Sequence, residues 1–162
     1  MASLPRLGLL ILALGILGML RVIPEMISIR GANRLYWIVV VLDLMLAVMT
    51  VLAGAGVRRG DPRAPRMALL AAGVVVSTSI GWGVILAPEV ASAFSGRPQH
   101  SNTLVLMPRL LFYLIAVLFW PYATRAIVQS AEPELRKSLG ASLAASLVVG
   151  GGLMGALFWT LR

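Results

Sequence analysis

Cysteine is absent from the chain. That excludes a disulfide framework, a thiolate nucleophile, an iron–sulfur cluster and a Cys-based zinc site. His100 is the only histidine, so paired-His haem ligation within the chain and an H-E-x-x-H metal site are excluded as well. There is no G-x-S-x-G nucleophile turn and no Walker A loop. No two carboxylates share one apolar segment, which removes the usual pair for acid–base catalysis. The sequence therefore predicts no cofactor, no metal and no catalytic residues. Charge is scarce too. Charged residues make up 12% of the 162, and hydrophobic ones 59%. Soluble domains carry roughly twice that charged fraction. A soluble fold of this size has too little interior to hide so much apolar surface. A soluble enzyme, a disordered tail and a nucleic-acid-binding domain are all disfavoured, despite the net charge of +8.

What remains is long apolar runs. A helix needs about 20 apolar residues to cross a bilayer, and five stretches qualify: 4–23, 35–57, 67–87, 104–123 and 139–161. The expected fold is an all-α polytopic transmembrane bundle, one domain of five spans, with the lipid bilayer as its surrounding. The alternative is four spans plus one interfacial helix. Residues 7–20 form an apolar run after Arg6, but Arg-Val-Ile-Pro-Glu follows with no small-x-small cleavage site. The first segment thus reads as an uncleaved helix. Pro24 is expected to end or kink the first helix, and Pro88 to stop the third.

Thirteen of the fourteen basic residues are Arg. Arg6, the turn Arg58–Arg66 and the connection Thr124–Ser138 place eight basic residues on one side, against six on the other. The positive-inside rule puts the N-terminus in the cytoplasm. Heavy Arg, Ala, Gly and Leu usage fits a bacterial protein of the inner (plasma) membrane. Tyr36, Trp37, Trp82 and Trp159 fall near one surface and Trp120 and Tyr122 near the other, and all read as interfacial anchors.

Charge inside a span is costly and therefore informative. Asp43 lies nine positions into the second span, roughly 13 Å along its axis. Tyr36, Asp43 and Thr50 are spaced by seven and share one helical face. Arg109 enters the fourth span, and Arg21 ends the first, on the same side as Asp43. Either Arg can pair with it. Glu25, Glu89, Arg97 and His100 fall on that side too, as a polar vestibule. Small residues mark packing faces: Gly73, Ser77 and Gly81 in the third span, Gly151 and Gly155 in the fifth. In lipid such faces let backbones approach closely. Leu139, Leu143 and Leu147 read as the opposite, lipid-facing side of the fifth span. The function expected is a non-catalytic accessory or structural subunit, packing through these faces with other membrane subunits or with itself. The alternative is a small oligomeric transporter or channel, with Asp43 in the pathway and Arg109 as counter-charge.

Overall fold

The structure, a computed structural model, describes residues 4–28, 34–94 and 103–160. These form five α-helices: α1 (Leu4–Ser28), α2 (Arg34–Arg59), α3 (Ala64–Phe94), α4 (Thr103–Ser130) and α5 (Pro133–Thr160). All five are long and apolar enough to cross a membrane. Their outward surface agrees, since Leu9 is 50%, Leu118 68% and Val148 75% exposed. A continuous apolar exterior of this kind suits lipid rather than water.

The helices run further than the sequence suggested. α1 continues through Pro24 to Ser28, and α3 through Pro88 to Phe94. A proline removes one intrahelical hydrogen bond and bends the helix, but neither proline ends one here. The expected basic connection Thr124–Ser138 is mostly helix as well. α4 ends at Ser130 and α5 begins at Pro133, a residue suited to a helix's first turn. Arg125, Arg136 and Lys137 therefore sit on helix ends. The turn between α2 and α3 is a full Schellman cap. Gly60 takes a φ of 74°, Asp61 N donates to Gly56 O at 3.0 Å and Gly60 N to Val57 O at 3.3 Å. The Asp61 carboxylate then accepts from Arg63 N at 2.8 Å, opening α3.

Helices α1 to α4 form a ring, each touching the next, with α4 closing on α1. Leu7, Ile11, Leu69 and Trp120 are fully buried at its centre. The tightest seam is α1 against α2. A Cβ on Gly54 would lie 2.8 Å from Leu12 Cα, and one on Gly8 2.9 Å from Arg58 Cα. Helix α5 stands outside the ring and packs mainly on α3. Gly73 faces Ser146, Gly81 faces Met154, and Ser77 faces Gly150. Ser77 Oγ also donates to Leu147 O at 3.3 Å across this seam. The α3 small-residue face thus packs within the chain. Gly151 and Gly155 do not, since a Cβ on either would meet no atom within 4 Å. One expectation is overturned: Leu139 is fully buried and Leu143 packs against the core, so this edge of α5 faces inward. Only Leu147, 41% exposed, fits the lipid-facing description.

Candidate functional site

Four charged side chains meet inside the ring, near the end opposite the α2–α3 turn. Arg21 and Glu25 come from α1, four residues apart and so on one face. Because α1 continues through Pro24, Glu25 is held within the helix and is 1% exposed. Asp43 comes from α2 and Arg109 from the first turns of α4. Arg21 Nη2 donates to Asp43 Oδ2 at 2.6 Å. Arg109 Nη2 lies 3.5 Å from that same oxygen, and its Nε lies 3.6 Å from Glu25 Oε1. Arg109 Nε also donates to the Tyr113 hydroxyl at 2.9 Å. Two cations and two anions balance. In surroundings this apolar, an ion left without its counter-charge would be expensive.

Aromatic rings complete the enclosure. The Arg109 guanidinium carbon sits 4.2 Å from the centre of the Trp82 ring, supplied by α3. Arg21 sits 4.9 Å from the centres of both Phe112 and Tyr113. Desolvated cation–π contacts of this kind are worth up to about 2 kcal/mol each. All four helices of the ring therefore contribute to one polar cluster. Two small cavities flank Asp43. One, of about 20 Å³, is lined by Arg21, Thr50, Thr78 and Ser79 and suits a single water. The other, of about 50 Å³, is mostly apolar and bounded by Trp82 and Met154.

The structure brings Arg21, Asp43 and Arg109 together, with Arg21 the closer partner of the carboxylate. Thr50 lines the smaller cavity, but its hydroxyl donates to Leu46 O at 2.8 Å within its own helix. Tyr36 and Glu89 lie on α2 and α3, with side chains outside the described residues. Arg97 and His100 lie outside the described residues altogether. Two tryptophans read as interfacial anchors are in fact interior: Trp120 is 0% and Trp82 6% exposed. Trp37, Tyr122 and Trp159 are exposed and fit the anchor role. Sequence reasoning did not single out Glu25 as a partner of Arg109, nor Tyr113, Phe112 and Trp82 as the cluster's walls. The four-residue spacing of Arg21 and Glu25 was the available signal.

Among the described residues, no group of three or more His, Asp or Glu side chains is placed to hold a metal. Gly150, Gly152 and Gly155 have the spacing of a dinucleotide-binding loop, but they lie within α5 and follow no strand. That spacing has no phosphate-cradling turn to act through. Comparison with known protein families, curated proteins and solved structures finds no match.

Proposed function

We propose that the chain is a non-catalytic integral membrane protein of five spans, a small subunit that joins a larger membrane complex or a homo-oligomer through α5. The reading rests on the position of α5. It packs on one ring helix along one face and leaves Gly140, Gly151, Gly152 and Gly155 with open space around them. A helix from another subunit can approach such a face closely. The charge cluster supports the same reading, since it is neutral overall, walled by aromatic rings and flanked by water-sized cavities. Arg6, the Arg-rich turn and the basic ends of α4 and α5 lie at one end, and by the positive-inside rule this supports a cytoplasmic N-terminus. The composition fits a bacterial inner membrane.

Isolation in mild detergent with mass determination tests this directly. A stoichiometric companion or a homo-oligomer is expected, and Gly151→Leu combined with Gly155→Leu should release it. A stable lone monomer would count against the proposal. A second reading draws on Asp43 lining cavities on both of its sides. In that reading Asp43 lies in a conduction pathway with Arg109 as counter-charge. Asp43→Asn should then abolish an ion- or pH-driven flux in liposomes, and a flux that survives the change removes this reading.

A further inference from the structure

A large cavity lies away from the charge cluster. It is a groove of about 460 Å³ between α3, α4 and α5, within the size range of ligand sites. Its walls are Gly73 and Val76 of α3, Pro121 and Val128 of α4, and Leu143 and Leu147 of α5. Arg125 is the single charged residue on its lining. The groove exists because α4 and α5 touch only lightly beyond their two-residue connection.

Helix geometry sets its depth. The 28 residues of α4 span about 42 Å, against a hydrocarbon layer of about 30 Å. Centred in that layer, each helix end projects about 6 Å beyond it. Arg125 is five residues from the end of α4, about 7.5 Å, and so stands at the headgroup boundary. Leu147 is fourteen residues into α5, about 21 Å from its start. The groove therefore runs roughly 14 Å inward from Arg125, close to the thickness of one leaflet. The charge at this end of the bundle is mainly of one kind. Arg58, Arg59, Arg63, Arg66, Arg136 and Lys137 share this end with Asp61, Glu132 and Glu134.

We infer that this groove binds one anionic phospholipid, with an acyl chain along Val76, Leu143 and Leu147 and the phosphate at Arg125. The inference rests on the chain spanning a bilayer, but not on α5 having a protein partner. Native mass spectrometry of the full chain in mild detergent tests it, with phosphatidylglycerol and phosphatidylcholine titrated in competition. One phosphatidylglycerol should be retained in preference to phosphatidylcholine. Arg125→Gln should lower that preference about fivefold, the effect of one basic residue near an anionic lipid surface. Leu147→Trp should reduce retention of both lipids by filling the groove. Equal retention of the two lipids overturns the proposal. So does retention of phosphatidylglycerol unchanged in both variants, or a second copy of the chain displaced by Leu147→Trp. Arg125 is exposed, so its variant remains informative if the tryptophan variant fails to fold. Resistance of the chain to carbonate extraction from membranes reports separately on the spanning itself.

Discussion

Asp43 is the residue on which the charge cluster balances. It accepts from Arg21 at 2.6 Å and lies 3.5 Å from Arg109. Removing its charge leaves two guanidinium groups sharing Glu25 in an apolar interior. Asp43→Asn is therefore expected to cost about 3–5 kcal/mol of stability, the usual penalty for breaking a buried pair from one side. Arg21→Met combined with Asp43→Leu removes a cation and an anion together and leaves Arg109 with Glu25. That double variant should cost clearly less than the single one. Denaturant unfolding in micelles measures both, and a single variant as stable as the parent would mean that the cluster contributes no stability. Much of this site was legible before folding was considered. Asp43, Arg21 and Arg109 stand where charge is expensive, and their distances from the span ends put them at one level. Glu25 was obscured because Pro24 looked like a helix stop. Once the helix continues, the i, i+4 spacing brings Glu25 onto the face of Arg21. Trp82 was obscured differently. A tryptophan near a span end satisfies the pattern of an interfacial anchor, and only tertiary packing shows that its ring lies against Arg109.

At the scale of elements, glycine decides which helices meet. Small residues on α3 and α5 were legible from their four-residue spacing. The tighter seam between α1 and α2 was not, because Gly8 and Gly15 recur at seven, with large apolar residues between them. A methyl group on Gly54 would press on the backbone of Leu12, 2.8 Å from its Cα, and on Gly8 O at 2.9 Å. Backbone atoms do not swing aside as a flexible side chain does. Gly54→Ala should force the two helices apart and cost about 1–3 kcal/mol, the range for overpacking a filled interior. Gly83 is the matched control, since nothing lies within 4 Å of its Cβ position. Gly83→Ala should not destabilise, and should add up to about 1 kcal/mol because alanine is the better helix former. Thermal unfolding of the two variants side by side distinguishes a seam that sets the fold from a general intolerance of alanine. Equal effects would remove the special role given to the α1–α2 contact.

For the whole molecule, the fold sharpens the question of orientation. Counting loops puts eight basic residues on one side and six on the other. Two of those six, Arg21 and Arg109, are buried against Asp43 and Glu25. They are interior groups rather than flanking charges, and the rule counts basic residues in short loops and near span ends. Setting them aside leaves eight against four, a wider margin for the proposed cytoplasmic N-terminus to be tested on. The absence of cysteine makes this directly testable, because any introduced thiol is the only one. Pro62 and Ser130 are exposed at the basic end, and Ala91 is exposed near the far end of α3. In intact bacterial cells a membrane-impermeant maleimide should label Ala91→Cys and spare Pro62→Cys and Ser130→Cys. Permeabilised cells should show labelling of all three. The reverse pattern in intact cells would turn the molecule over, moving the basic end and the Arg125 groove to the outer leaflet. Labelling of Pro62→Cys without Ser130→Cys would break the five-span arrangement itself, since α3 and α4 together return the chain to the side it left.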